Sequence, residues 1–102
     1  MAGLHDRKLL VIITEAALEQ SLAADVLRLG AQGYTVADVR GSGLHGPRAG
    51  GFDGDRNIEM KVICSAEVAR RILDHVQEAY LAHYSLSLFT TDAQVLRPDK
   101  FK

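Results

Sequence analysis

The chain has 102 residues, enough for one domain but near the low end of self-sufficient sizes, so oligomerisation is a natural way to complete its core. Twelve basic against 13 acidic side chains leave a formal net charge of -1. With no basic stripe, this argues against a nucleic-acid binder held by phosphate contacts. Cys64 is the single cysteine. It excludes an intramolecular disulfide framework and suits a reducing compartment. No segment is long enough to span a bilayer, so the cytoplasm is the expected address.

Residues 9–13 (Leu-Leu-Val-Ile-Ile) form a continuous apolar run, β-branched toward its end, and predict a central strand. Thr14 is placed to cap the helix that follows, with Glu15 and Glu19 suited to its first turns. Leu18, Leu22, Val26 and Leu29 recur at helical spacing, and Gly30 and Gly33 end the segment. A second strand over 34–40 leads into Gly41-Ser42-Gly43-Leu44-His45-Gly46. This run spells GxGxxG, but a loop rather than a helix follows it, which excludes a dinucleotide fold. Such glycines can turn backbone N–H groups toward an anion, and they also serve as plain turns between strands.

A flexible loop is expected over about 44–56, then a third strand over 58–64. Alternation there puts Ile58, Met60 and Val62 on one face and Glu59 and Lys61 on the other. Ser65 is the N-cap of a second helix whose buried stripe is Val68, Ile72, Val76 and Tyr80. Residues 85–90 give a fourth strand. Val95-Leu96-Arg97 precedes Pro98, and residues 99–102 read as a frayed tail. The order βαββαβ predicts a single α+β domain over 1–102 of ferredoxin-like type, an antiparallel four-stranded sheet with two helices on one face. The other face carries enough apolar side chains to require an oligomer contact.

The βα unit ending in Gly30 and Gly33, then Thr35-Val36 and Val39-Arg40-Gly41-x-Gly43-x-x-Gly46, resembles the opening half of PII signalling proteins, without a gap over residues 7–46. Ala93-Gln94-Val95-Leu96-Arg97 is similar to the segment that supplies a phosphate-binding arginine in that family. The resemblance implies a trimer that binds nucleotide in clefts between subunits, at the base of the loop after strand two. It implies phosphate contacts from Gly41, Ser42, Gly43, Leu44, His45, Gly46 and Arg97. It also implies a base and sugar pocket lined by Ile13, Thr35, Ile63 and Phe89 of two subunits.

Three departures narrow the expectation. The loop after Gly46 is short and lacks tyrosine, which excludes uridylylation there. His45 and Asn57 stand where the family holds 2-oxoglutarate with glutamine and lysine, which argues against that ligand. The second glycine- and lysine-rich loop is missing, because His83-Tyr84 leads almost directly into the last strand. A preference for ADP, AMP or a cyclic nucleotide over ATP is the implied consequence. The pattern is most similar to the PII-like subgroup associated with carboxysomes and bicarbonate transporters. That subgroup implies an adenine nucleotide and bicarbonate as ligands, and control of a partner such as an inorganic-carbon transporter through residues 47–56; Phe52, the large apolar group of that loop, is expected at the centre of the contact.

No nucleophile–base pair is visible, so an enzyme is not expected. An acylphosphatase would need an arginine in Thr14-Glu15-Ala16-Ala17, and none is there. His5, His75 and His83 share no metal-ligand spacing with His45, and no metal is expected. The alternative is a small trimeric metal-tolerance-type or structural assembly protein that binds no nucleotide. Cys64 reads as a small buried hydrophobe.

Overall fold

Strand β1 (His5–Glu15) runs through the middle of the molecule and organises it. The structure is a computed structural model that describes residues 3–43, 46–47 and 56–102. A 3-10 turn (Ala16–Leu18) leads into α1 (Glu19–Arg28), then come β2 (Thr35–Val39), the short β3 (Ser42–Gly43) and β4 (Gly46–Pro47), and β5 (Asn57–Cys64). Helix α2 (Ala66–Ala79), β6 (Ser87–Val95) and a C-terminal 3-10 turn (Pro98–Phe101) complete the order. The main sheet is four-stranded in the order β2-β5-β1-β6, with β1 antiparallel to both neighbours. This is the ferredoxin-like arrangement expected from the pattern. The pair β3–β4 is a separate two-stranded ribbon, with Ser42 opposite Pro47 and Gly43 opposite Gly46. Leu44, His45 and residues 48–55, Phe52 among them, lie outside the described residues.

The core sits between one face of this sheet and both helices. Leu10 and Ile12 of β1 and Met60, Val62 and Cys64 of β5 meet Leu22 and Val26 of α1 and Val68, Ile72 and Val76 of α2. The side chains match the predicted stripes, and each fully buried aliphatic contributes roughly 1.5–3 kcal/mol. Cys64 is wholly buried, and burial pushes its thiol pKa up, as a small hydrophobe requires.

Four local readings change. Strand β1 extends beyond 9–13 at both ends because β6 pairs with it from His5 to Ile13 and β5 from Lys8 to Glu15. For the same reason the last strand runs to Val95 instead of ending at Thr90. Thr14 does not cap the helix. It lies within β1 at 0% exposure, and its Oγ1 has no hydrogen-bond partner among the described residues. The Ala16 amide instead donates to the Arg56 carbonyl at 2.6 Å. The tail is held rather than frayed: Arg7 donates from Nε to the Phe101 carbonyl at 2.7 Å and from Nη2 to the Pro98 carbonyl at 3.0 Å.

Helix ends are made by two different devices. Ser65 Oγ accepts from the Val68 amide at the start of α2, as its residue type and position predict. At the end of α1, Gly30 adopts φ 120°. Its amide donates to the Leu27 carbonyl, and the Ala31 amide donates to the Val26 carbonyl. That pair of bonds is a Schellman motif. A Cβ on Gly30 would lie 2.8 Å from Arg71 Nη2 and 3.1 Å from Val68. Arg71 Nε donates to the Leu29 carbonyl and closes the helix end.

The helices are also joined by a polar cluster. Asp25 Oδ2 accepts from Tyr80 OH at 2.5 Å and contacts His75 Nε2 at 2.9 Å, while Ser21 Oγ meets Tyr80 OH at 2.6 Å. Burial alone would raise the Asp25 pKa, but hydrogen bonds from Tyr80 and His75, attraction to His75 and the Arg28 bond together lower it. Burial and the same contact raise the Tyr80 phenol.

Two expectations follow. Gly30→Ala is expected to cost about 1–2 kcal/mol, from the left-handed backbone and the crowding against Val68, measured by denaturant unfolding. Asp25 has a folded-state pKa below its unfolded value, so its stabilisation is present above about pH 4 and is lost as pH falls through the lowered folded value. The stability gap between wild type and Asp25→Asn, measured by thermal melts, is expected to be open at pH 7 and to narrow in acid.

Candidate functional site

The candidate site is built on the sheet face away from the helices. Antiparallel register builds it row by row, since residues paired across strands point to the same side. One row runs Thr35–Lys61–Val11–Phe89 across all four strands. A second holds Ile63, Leu9 and Thr91, and a third Ala37, Glu59, Ile13 and Ser87. Ile13, Thr35, Ile63 and Phe89 therefore share one face. Phe89 is 51% exposed, and Thr35 is exposed as well. An open aromatic beside Val11 and Ile13 is what an unpartnered apolar face looks like.

A cleft of about 550 Å³ opens on this face beneath the C-terminal turn. Leu9, Thr35, Lys61 and Ile63 form its floor, with Lys100 and Phe101 above. Aliphatic walls, the Thr35 and Tyr34 hydroxyls, two ammonium groups and the Asp99 carboxylate suit a ligand with a flat apolar part and a polar edge. Lys61 is partly committed, its Nζ lying 3.4 Å from Glu59 Oε1 on the same strand and face.

The structure gathers some of the predicted residues and separates others. Thr35 and Ile63 line the same cleft. Ile13 sits on the neighbouring row, and Phe89 lies three strand spacings from Thr35, roughly 14 Å. A base-sized ring cannot touch both within one chain. Gly41 and Ser42 follow β2 at the sheet end where Val39 pairs with Asn57, and Asn57 with Glu15. Arg97 follows β6 at the opposite end, where Val95 pairs with His5. The two elements expected to meet phosphate stand about the length of β1 apart, roughly 35 Å. Both Gly41 and Ser42 are exposed, and among the described residues a Cβ at Gly41 would meet nothing within 4 Å. Packing inside the chain does not call for glycine there. Gly43 and Gly46 are placed on the β3–β4 ribbon. Leu44 and His45 lie outside the described residues.

Sequence reasoning missed Lys61 as a neighbour of Thr35, although its own alternation already set Lys61 on the face away from the core. It also missed Phe101 and Lys100, because residues 99–102 read as a frayed tail. The signal was Pro98, which forbids continued strand pairing and demands a turn. Among the described residues no three His, Cys, Asp or Glu side chains come together to hold a metal ion. No helix of the described residues is long and apolar enough to cross a membrane.

Residues 7–100 match the family model for the nitrogen regulatory protein P-II. The fold is similar to a PII-like signalling protein from Thermus thermophilus, at 39% identity and TM-score 0.85 over 97% of this chain and 98% of that one. It is similar to CPII from Thiomonas intermedia bound to ADP and bicarbonate, at 30% identity and TM-score 0.88 over 100% of both chains. A second structure of CPII, bound to ADP, AMP and bicarbonate, matches at 34% identity and TM-score 0.85 over 99% of this chain and 98% of that one.

Proposed function

Since the chain belongs to the nitrogen regulatory P-II family, we propose that it is a non-enzymatic, cytoplasmic signalling protein that reads adenine nucleotides, ADP or AMP in preference to ATP, together with bicarbonate. The observation that carries this reading is the full-length likeness to CPII, whose structures hold ADP, AMP and bicarbonate. The position of the proposed contacts supports it from the chain itself. Gly41, Ser42, Gly43 and Gly46 lie off one end of the sheet and Arg97 off the other, so a single phosphate can meet both sets only if they come from two copies. Thr35 and Phe89 are separated in the same sense. A homotrimer that closes through its open sheet faces brings such pairs together.

The chemistry is recognition. Backbone N–H groups of the glycine run point at phosphate oxygens, and the Arg97 guanidinium adds a charge-assisted contact. Ile13, Ile63 and Phe89 exclude water from the base, and the Thr35 hydroxyl discriminates its edge. Nucleotide and bicarbonate then select one arrangement of the loop over 47–56, at roughly 1–2 kcal/mol of ordering cost per residue. Only a difference in ligand affinity between arrangements can shift their populations. The selected arrangement engages or releases a partner, such as an inorganic-carbon transporter, with Phe52 in the contact.

Calorimetric titration with AMP, ADP, ATP and cyclic AMP, each with and without bicarbonate, tests the ligand reading. Tight binding of ADP or AMP is expected, weakened about tenfold or more by Arg97→Ala. Heat with none of these ligands would favour the assembly-protein alternative. In sedimentation, the particle is expected at three times the 11.1 kDa of one chain. Phe52→Ala is expected to lower partner recovery in a pull-down while nucleotide affinity stays unchanged.

A further inference from the structure

Arg7 spends its guanidinium in an unusual way. Among the described residues it has no carboxylate partner, and its hydrogen bonds go to backbone carbonyls. Nε reaches Phe101 at 2.7 Å, Nη2 reaches Pro98 at 3.0 Å and Nη1 reaches Asp6 at 2.8 Å. Two of those carbonyls bracket the C-terminal turn, Pro98–Phe101, across more than ninety residues of sequence. Inside the turn the Lys100 amide donates to the Arg97 carbonyl at 3.1 Å, and at its far end the Lys102 amide donates to Gln32 Oε1 at 2.8 Å.

The chain has to leave β6 here, because Pro98 has no N–H to continue the ladder and its ring fixes φ. Proline does not decide which way the chain goes. Two bonds from Arg7 hold the turn in its direction together with the Lys102–Gln32 bond, and those from Arg7 come from a full cation and are stronger than bonds between neutral groups. Arg7 stands on β1 opposite Ala93, two residues before Leu9 on the same face. The turn is thereby drawn across the open sheet face and becomes the upper wall of the cleft over Leu9, Thr35 and Ile63. Arg97 is the residue immediately before this turn, so the same two bonds fix where its side chain departs.

We infer that Arg7 is a positioning residue for ligand binding, which holds the C-terminal turn by the Pro98 and Phe101 carbonyls and so sets both Arg97 and the cleft wall. The inference rests on the nucleotide reading above and assigns Arg7 no contact with the ligand. Lysine is not an equivalent, since an ammonium is a point charge and lacks the fixed fork that spans two carbonyls.

The test compares wild type, Arg7→Met and Arg7→Lys as full chains by three readouts: ADP titration, amide hydrogen exchange over residues 98–102, and thermal melting. Arg7→Met is expected to speed exchange at Lys100, to weaken ADP about tenfold and to leave the melting temperature nearly unchanged. Arg7→Lys is expected to fall between the two in exchange and affinity, and it carries the comparison alone if Arg7→Met does not fold. Faster exchange with wild-type ADP affinity would overturn the inference, because the turn would then not belong to the site. Weaker ADP binding without faster exchange would overturn it too, because Arg7 would act by another route. If wild type itself takes up no ADP, the nucleotide reading fails and this inference with it, a result distinct from either of the others.

Discussion

Two helices can cover only one face of a four-stranded sheet, and most of this structure follows from that limit. Helices α1 and α2 bury Leu10, Ile12, Met60 and Val62 on one side. On the other side the same strands must present Leu9, Val11, Ile13, Ile63 and Phe89, because side chains alternate along every strand. Among the described residues no further helix or strand lies over that face. The apolar face, the cleft on it and the polar residues around the cleft are all products of the same shortage. Among the described residues the C-terminal turn covers one corner of that face and leaves Phe89 51% exposed.

Strand β1 carries the consequence furthest. It is paired along nearly its whole length on both edges, so its two ends are far apart and rigidly related. Whatever follows β2 is delivered to one end of the sheet, and whatever follows β6 to the other. The spacing between the glycine run and Arg97 is therefore a property of the register and not of a flexible loop.

The fold was legible because its signals were local and mutually consistent. The run at residues 9–13, the stripe Val68–Ile72–Val76–Tyr80, the Ser65 cap and Gly30 each follow from short-range chemistry that tertiary packing had no reason to override. The failures were long-range. Thr14 has a good capping side chain, but pairing with Ile58 drew it into the strand. The ends of β1 and β6 were invisible because polar residues such as Asp6, Lys8 and Asp92 break the apolar run, while cross-strand partners, including the Lys8–Asp92 ion pair, hold them in place. The tail looked frayed because its anchor, Arg7, lies at the other end of the chain. Of the candidate site, the residue types could be listed from the chain, but their placement at two ends of one sheet required the register.

That partition has a thermodynamic consequence. A ligand gripped by elements from opposite ends of two copies binds the assembly and has little hold on one isolated chain. Occupancy and association are then linked equilibria: ligand tightens assembly by the same factor by which assembly tightens ligand. On the nucleotide reading, apparent affinity would depend on protein concentration at high dilution. A rise in adenine nucleotide would register first as a gain in subunit cohesion.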